Sequence, residues 1–238
     1  TDTSHHQINP SYPGLRVRHV DPWIFTIDNF ITEDESSRIL MLAGRHLHPG
    51  ETTTGPNSSW DFEQISMLKG NLGTILDKLT ALLRLSTDHL AACTIVRYKP
   101  GQSIPKHRDD TGKPKPGGPR LVTAFIYLNT VGDGSGATRF HTLPATTGPL
   151  DIAPVKNRLL VFFPADASAR SDHRLEHSGE PPTDEKLIIR TFWNRDPVYT
   201  TDERNECEKN IVAGGYLVPD YAITKTDRII GRTYVVDV

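Results

Sequence analysis

The sequence predicts a mainly β domain, a sandwich or barrel preceded by helices. Downstream of residue 90 it consists of short runs rich in β-branched and aromatic residues, which turns separate at spacings of roughly 10–15 residues. Upstream, two segments have the apolar spacing of amphipathic helices. The chain has 238 residues, 36% of them hydrophobic, which is enough for one sizeable core.

The N-terminal elements come first. Residues 1–14 are polar and rich in Pro and Gly, which predicts a flexible tail. The stretch WIFTIDNF, residues 23–30, predicts a strand. Thr32 and Glu35 form a capping box and predict that a helix begins there. A second amphipathic helix is predicted for NLGTILDKLTALLRL, residues 71–85.

The following part of the chain predicts strands. The predicted strands are residues 91–98, 120–129, 137–142, 148–154, 157–164, 173–179 and 185–194. Short strands at regular spacing are typical of sandwiches and barrels. We expect residues 15–199 to form this domain, and residues 200–238 to be an extension that packs on its core or covers its mouth.

Composition excludes several functional classes. The formal net charge is −2, so no strong field favours nucleic acid or an anionic membrane as partner. No apolar run approaches the roughly 20 residues of a membrane span. Cys93 and Cys207 form neither a disulfide framework nor a zinc motif, and we expect Cys93 to be a buried hydrophobe. No leader is recognisable, so we expect a cytoplasmic enzyme. The oligomeric state stays open.

The stretch IPKHRDD contains the first candidate metal ligands. His107 and Asp109 are two positions apart, so on extended backbone they point to the same face. His173 and His177 are candidates for a third ligand. Two histidines and a carboxylate would leave coordination positions open, as in non-haem Fe(II) oxygenases. Zinc hydrolases also use this ligand set, so the three residues alone leave iron and zinc open.

Three further residues indicate an anion site near this metal. Lys186 begins the apolar run KLIIRTFWN, where a buried ammonium is costly unless it meets an anion. Tyr98 ends one predicted strand and Tyr127 lies within another. One ammonium and two phenol hydroxyls form a plausible cradle for a carboxylate.

With these residues in place, the sequence resembles the prolyl 4-hydroxylase-like Fe(II)/2-oxoglutarate dioxygenases over roughly residues 22–196. The matching segments are TIVRYKPGQSIPKHRD, RLVTAFIYLNTVGDGSGATRF, PVKNRLLVFFP and EHSGEPPTDEKLIIRTFWNRD. Asn157 stands where the family usually has Gly. Pro181 and Lys186 follow His177 at the family's spacing, which selects His177 over His173 as the third ligand.

The resemblance implies a fold and a set of roles. The fold would be a double-stranded β-helix, a cupin-like jelly roll, with the N-terminal helices against one sheet. His107, Asp109 and His177 would be catalytic and bind Fe(II). Lys186 would bind the far carboxylate of 2-oxoglutarate, with Tyr127 as hydrogen-bond partner and Tyr98 nearby. O2 would be the second cosubstrate, and ascorbate is a candidate reductant.

The resemblance also implies a reaction. The enzyme would hydroxylate an aliphatic C–H bond and release succinate and CO2. Related halogenases replace the carboxylate ligand with a small residue, so Asp109 favours hydroxylation. The overall resemblance favours a prolyl residue in a peptide or protein as substrate. A free amino acid or small metabolite is one alternative, and a non-catalytic β-barrel binding module is another.

The turn-rich loop of residues 49–61 bears on the substrate. Ser58, Ser59 and Trp60 match the end of a loop that helps to cover the substrate in prolyl hydroxylases. The Arg that often begins this loop is absent, and Thr54 stands near its place. This departure leaves peptidyl-proline specificity open.

Two arginines are further substrate candidates. Arg190 lies four residues after Lys186 on one predicted strand, and therefore on the same face. Arg120 lies at the end of a basic Gly/Pro-rich loop, residues 110–120, which next to the metal would serve as a lid.

Overall fold

The fold is built from two antiparallel sheets that pack face to face across aromatic side chains. We describe it from a computed structural model. The residues it describes are 6–46, 63–66, 69–110, 117–144, 148–166, 168 and 170–198. Phe140 of one sheet contacts Phe162 of the other, with ring centroids 5.1 Å apart.

Two strands precede the first helix, and most of the strands follow the last helix. The helices are α1 (Glu33–His46), α2 (Lys69–Leu72) and α3 (Thr74–Leu83), with short 3-10 turns at Thr87–His89 and His173–Leu175. The strands are β1 (Leu15–Val20), β2 (Trp23–Ile27), β3 (Glu63–Ser66), β4 (Leu90–Tyr98), β5 (Ile104–His107), β6 (Arg120–Tyr127), β7 (Thr138–Phe140), β8 (Leu150–Ile152), β9 (Leu159–Phe162), β10 (His177–Gly179) and β11 (Lys186–Asn194).

Within the described residues, the larger sheet has seven strands in the order β1-β2-β9-β6-β11-β4-β3, and the smaller has four in the order β5-β10-β7-β8. Ile39 of α1 and Leu79 of α3 share a buried apolar cluster with Ile189 and Trp193 of β11, so the helices cover one face of the larger sheet. This arrangement confirms the predicted mainly β fold with a jelly-roll core and N-terminal helices.

Strand β11 of the larger sheet lies between the helices and the smaller sheet. Because side chains alternate along a strand, Leu187, Ile189 and Trp193 face the helices. Lys186 and Arg190 lie on the opposite face, toward the smaller sheet, and line a cavity there. The strand is paired on both sides, with β4 and β6, so its residues are held firmly in register.

The predicted helices form, with one difference. The capping box is confirmed: the Thr32 N–H donates to Glu35 Oε2 at 2.7 Å, and the Glu35 N–H donates to Thr32 Oγ1 at 3.2 Å. The second helix is split into α2 and α3 at Gly73, whose φ of 52° lies in the left-handed region. The apolar stripe therefore belongs to two consecutive helices.

Three strands were not predicted. Strand β1 is mostly exposed at a sheet edge, and β3 and β5 are short, so none has the apolar pattern of a buried strand. Part of the segment predicted as a tail is packed: Ile8 is buried, and the Asn9 N–H donates to the Leu82 carbonyl at 2.8 Å.

Two smaller features also bear on the predictions. Asn157, which stands where the family usually has Gly, has a φ of 64°; Asn tolerates this left-handed conformation better than most side chains. Cys93 is buried, as predicted.

Among the helices described, none combines the length and apolarity that crossing a membrane requires. Residues 200–238 lie outside the described residues, so their packing stays a prediction.

Candidate metal centre

Antiparallel pairing of β5 with β10 builds the centre. In this pairing His107 lies directly opposite His177, and their ring centroids are 4.4 Å apart. Asp109 follows β5 and turns its carboxylate between the rings, with Oδ1 3.5 Å from His107 Nε2 and Oδ2 3.8 Å from His177 Nε2. One ligand atom from each residue lies within 4.8 Å of the other two, so the three side chains can hold one metal ion.

Backbone carbonyls set the tautomer of both histidines. His107 Nδ1 lies 2.8 Å from the Pro105 carbonyl oxygen, and His177 Nδ1 lies 3.0 Å from that of Leu175. A carbonyl can only accept, so each Nδ1 carries the proton and each Nε2 keeps its lone pair. Both lone pairs are therefore available to a metal, and the second nitrogen fixes each ring's orientation.

The Asp109 carboxylate is buried and ionised. Burial by itself would raise its pKa, but His177, His107 and Arg120 outweigh burial and hold the pKa far below the usual value. The Thr123 hydroxyl donates to Asp109 Oδ2 at 2.8 Å, and Arg120 donates to the Asp109 backbone carbonyl at 2.8 Å. These contacts leave the carboxylate negative and fix its orientation.

His177 provides a test of whether a metal fits. Its Nε2 is buried and has no hydrogen-bond partner among the described residues. Burial lowers the pKa of His177 to about 4, so the ring is neutral at physiological pH. A buried acceptor without a partner is costly unless a ligand meets it. Two neutral imidazoles and one carboxylate match the donor set that Fe(II) or Zn²⁺ takes.

A cavity opens beside the three ligands. It is lined by Tyr98, Ile104, His107, Asp109, Phe125, Thr138, His177, Ser178, Gly179, Lys186, Ile188 and Arg190.

Lys186 is a buried cation that lines this cavity. Its ammonium donates to the Gly136 carbonyl at 2.9 Å and lies 3.9 Å from the centroid of the Tyr98 ring. No carboxylate among the described residues forms an ion pair with it. Burial lowers the pKa of Lys186 to about 7, and more distant Glu180 offsets this only in part. An anionic ligand in the cavity would restore the charged form.

The two tyrosines lie at different depths. Tyr98 lines the cavity, whereas the buried Tyr127 hydroxyl shares a hydrogen bond of 2.8 Å with Thr138 Oγ1. Thr138 is the member of this pair that lines the cavity. Burial raises the pKa of both phenols, so both stay protonated. Direct contact of Tyr127 with a cosubstrate stays a prediction.

The two arginine candidates differ in their position relative to the cavity. Arg190 lines the cavity, and Arg120 contacts the Asp109 backbone behind it. Both guanidinium groups lie over the Phe192 ring, at 3.4 Å for Arg120 and 5.1 Å for Arg190.

The remaining substrate candidates, Ser58, Ser59 and Trp60, lie outside the described residues. Their predicted role therefore stays a prediction.

Sequence reasoning missed several residues around the site. Thr123 and Phe125 precede Tyr127 at two-residue intervals on β6, so strand periodicity could have found them. Thr138 and Ser178 carry no comparable signal. Asp110, the residue after the candidate ligand Asp109, is fully buried and accepts from the Arg120 N–H at 2.7 Å.

Comparisons with known proteins agree with this geometry. Residues 93–195 match the model of the 2OG-Fe(II) oxygenase superfamily, where 2OG denotes 2-oxoglutarate. This segment contains all three candidate ligands and Lys186. No curated protein sequence matches the chain significantly.

Solved structures share the fold. A viral collagen prolyl hydroxylase from Paramecium bursaria Chlorella virus-1, solved with 2-oxoglutarate, is 25% identical with a TM-score of 0.55, over 71% of this chain and 94% of that one. A Pseudomonas putida prolyl-4-hydroxylase is 21% identical (TM-score 0.53; 72% and 92% coverage). A Trichoplax adhaerens prolyl hydroxylase in complex with a hypoxia inducible factor peptide fragment is 18% identical (TM-score 0.52; 72% and 83%).

The family match, the ligand geometry and the structural neighbours converge. Together they support a 2-oxoglutarate-dependent dioxygenase whose fold is similar to that of prolyl hydroxylases. This family implies Fe(II), 2-oxoglutarate and O2 as the reacting partners of the site.

Proposed function

We propose that this dioxygenase hydroxylates an aliphatic C–H bond of a prolyl residue in a peptide or protein, with succinate and CO2 as co-products. The observation that carries the proposal is the shared cavity of the triad and Lys186. The Lys186 ammonium has no carboxylate partner among the described residues and lines the cavity that holds the metal ligands, so an anionic ligand there would stabilise its charged form. A short diacid that chelates the metal at one end would supply that anion at the other.

The protein's part is to hold the reactants and exclude water. His107, Asp109 and His177 would bind Fe(II), with their orientations fixed by backbone carbonyls and by Thr123. When bound, Fe(II) and 2-oxoglutarate supply the oxidation, in which one atom of O2 enters succinate and the other enters the substrate C–H bond. Ascorbate remains a candidate reductant for the iron.

Lys186 would position the cosubstrate. Its ammonium would bind the far carboxylate of 2-oxoglutarate, with the face of the Tyr98 ring beside it. Thr138, which lines the cavity and bonds Tyr127, would add a hydroxyl to this cradle. The apolar side chains of Phe125 and Ile188 complete the cavity and limit the water around the metal.

The retained carboxylate ligand supports hydroxylation over halogenation. Asp109 occupies the position that would otherwise be open to a halide, and its negative charge would repel one. The structural neighbours support a prolyl substrate, since the viral protein and the Pseudomonas putida protein are both named as prolyl hydroxylases. The Trichoplax adhaerens complex supports a peptide as carrier of that residue.

Mass spectrometry of turnover tests the proposal. The protein is incubated with Fe(II), 2-oxoglutarate and O2 and with either proline-containing peptides or a panel of free amino acids. We expect proline-dependent succinate release and the gain of one oxygen atom on the prolyl residue. His107→Ala should abolish both. Succinate release at the same rate from wild type and His107→Ala, with no oxidised product, would contradict the enzymatic assignment of the site.

A further inference from the structure

We propose that Thr123 is a positioning residue of the metal centre, and that its hydroxyl limits Asp109 to a single bond with the metal. The hydroxyl binds one carboxylate oxygen, Oδ2, and leaves the other, Oδ1, as the oxygen that ligates. This role rests on the proposed function and deepens it, because the number of bonds that Asp109 makes decides how many coordination positions remain for reactants. Thr123 acts through Asp109 and touches neither the metal nor the cosubstrate.

Strand β6 places Thr123 on its cavity side. The preceding residue, Val122, belongs to the apolar cluster that packs against the helices, so Thr123 faces the smaller sheet. Thr123 is fully buried, and it lies opposite Phe162 of β9 and Phe192 of β11. A hydroxyl among aromatic side chains is costly without a partner. The Asp109 carboxylate is that partner.

The hydrogen bond between Thr123 and Asp109 has a defined direction and length. Thr123 Oγ1 lies 2.8 Å from Asp109 Oδ2. An ionised carboxylate can only accept, so the hydroxyl donates, and such charge-assisted bonds are stronger than bonds between neutral groups. Strand β6 is paired on both sides, and the branched side chain of Thr has few rotamers. The donor is therefore held still, and Oδ2 with it.

The two histidines do not distinguish the carboxylate oxygens. Asp109 Oδ1 lies 3.5 Å from His107 Nε2, and Oδ2 lies 3.8 Å from His177 Nε2. Each oxygen is close to one imidazole lone pair, and a carboxylate can bind an ion through one oxygen or through both. Donation from Thr123 draws electron density from Oδ2 and makes Oδ1 the stronger ligand. The hydrogen bond therefore favours binding through Oδ1 alone.

Arg120 restrains a different part of Asp109. It donates to the Asp109 backbone carbonyl at 2.8 Å, and its Nη1 lies 4.0 Å from Oδ1. A contact at the backbone fixes where the residue lies, but it leaves the carboxylate free to turn about its terminal bond. The Thr123 hydroxyl supplies the restraint on that rotation.

A count of coordination positions shows why a single bond matters. An octahedral ion that takes two histidines and one carboxylate oxygen keeps three positions. A 2-oxo acid that chelates through two oxygens would fill two of them and leave one open to O2. If both oxygens of Asp109 bound the ion, that last position would be lost. Thr123 would keep it open.

Bound water tests this role without any turnover. Wild type, Thr123→Val and Thr123→Ser are saturated with Mn²⁺ in place of Fe(II), and water-proton relaxation measures how many waters the ion keeps. Valine nearly preserves the shape of threonine and removes the hydroxyl, whereas serine retains the hydroxyl. We expect the relaxation due to bound water to fall by about a third in Thr123→Val, because one of three waters is lost. Thr123→Ser should restore it.

Addition of 2-oxoglutarate sharpens the contrast. The cosubstrate should displace two waters, so wild type and Thr123→Ser should keep one exchangeable water on the ion. Thr123→Val should keep none. Should Thr123→Val fail to fold, Thr123→Ala provides the same loss of the hydroxyl for comparison with Thr123→Ser.

Thr191→Val is the matched control. Thr191 is equally buried on the neighbouring strand β11, where its hydroxyl donates to the Ala124 carbonyl at 3.0 Å and accepts from Trp193 Nε1 at 3.0 Å. It lies on the face toward the helices, so its substitution should leave the number of bound waters unchanged. A fall in this number shared by Thr191→Val would assign the effect to general disturbance of the fold and overturn the role of Thr123.

Other results would also overturn the role of Thr123. Equal numbers of bound waters in wild type and Thr123→Val would do so, as would a wild-type ion that keeps only two. Loss of Mn²⁺ binding in Thr123→Val would contradict it as well, because the released carboxylate should still bind.

The proposed function can fail separately. If Thr123→Val loses one water but wild type oxidises no prolyl compound, the role of Thr123 stands and the proposed function fails. If wild type hydroxylates a prolyl residue while the number of waters is the same in both proteins, the proposed function stands and the role of Thr123 fails.

Discussion

The two faces of strand β11 have different surroundings: one packs against the helices and the other lines the cavity. On one face Leu187, Ile189 and Trp193 pack against the helices in a continuous apolar cluster. On the other, Lys186 and Arg190 line the cavity beside the metal ligands. Burial stabilises the fold on the first face, whereas on the second it raises the free energy of charged groups.

This contrast separates the side chains that stabilise the fold from those that bind ligands. The face toward the helices should determine the free energy of unfolding and have little effect on ligands. The cavity face should determine binding and turnover, and its cations should destabilise the ligand-free protein. Substitutions on the two faces test this division.

The largest effect is expected at the metal ligand Asp109. Asp109→Ala removes the carboxylate and should lower turnover by more than roughly 100-fold. Substituting a residue that only supports a metal ligand can already cost roughly 10–100-fold, and losing the ligand itself should cost more. Fe(II) titration, followed by succinate release, measures it. Unfolding should remain cooperative, because β11 and the helix face are intact. Retained tight Fe(II) binding would show that Asp109 is not a ligand.

Lys186→Met should have the second-largest effect. It removes the cation expected to bind the far carboxylate of 2-oxoglutarate, so we expect the Michaelis constant for this cosubstrate to rise roughly 10–100-fold. Steady-state kinetics at saturating prolyl substrate provide the measurement. Lys156→Met is the matched control, because Lys156 pairs with Glu33 at the surface. An unchanged Michaelis constant would place the cosubstrate elsewhere.

Neighbouring isoleucines sharpen the comparison directly. Ile189→Ala, on the helix face, should cost about 2–5 kcal/mol in the free energy of unfolding and leave the Michaelis constant for the cosubstrate unchanged. Ile188→Ala, on the cavity face, should destabilise less and raise that constant. Urea denaturation and steady-state kinetics on both variants give the comparison. The reverse pattern would contradict the division between faces.

The smallest effect concerns pH. Burial lowers the pKa of Lys186 to about 7 in the folded protein, below its ordinary value of 10.5. Between these values the unfolded chain binds the extra proton, so ligand-free stability should rise with pH above about 7. The expected gain is about 1–3 kcal/mol, the scale of an unsatisfied buried group.

Urea denaturation at a series of alkaline pH values, compared with Lys186→Met, tests this dependence. The variant lacks the titrating group and should show a smaller rise in stability with pH. The same slope in both proteins would assign the rise to other groups.

The sequence could predict the residues that the structure brings together as a possible metal site. His107 and Asp109 were recognisable because extended backbone points alternate residues to one face. His177 was recognisable because Lys186 follows it at the spacing of the family that the sequence resembles. The long strands β4, β6 and β11 were equally recognisable, since their apolar runs match buried strands.

Other features depend on contacts between distant segments and leave no local signal. Thr138 of β7 bonds the Tyr127 hydroxyl and lines the cavity in its place. The position of Tyr127 in the sequence carries no information about this contact with a separate strand. Strand β1 is exposed at an edge, so its side chains lack an apolar pattern. Asp110 is buried and accepts from the Arg120 backbone N–H, a partner ten residues away in the sequence.

The direct pairing of His107 with His177 has a consequence for motion. Each histidine lies on a short strand of the smaller sheet, and such strands open locally at low cost. A shared ion would join them and restrict that opening. Chelation of the metal should therefore speed amide hydrogen exchange in β5 and β10, while β6 and β11 in the larger sheet keep their protection. The ion would then govern the local dynamics of one sheet as well as the chemistry of the cavity.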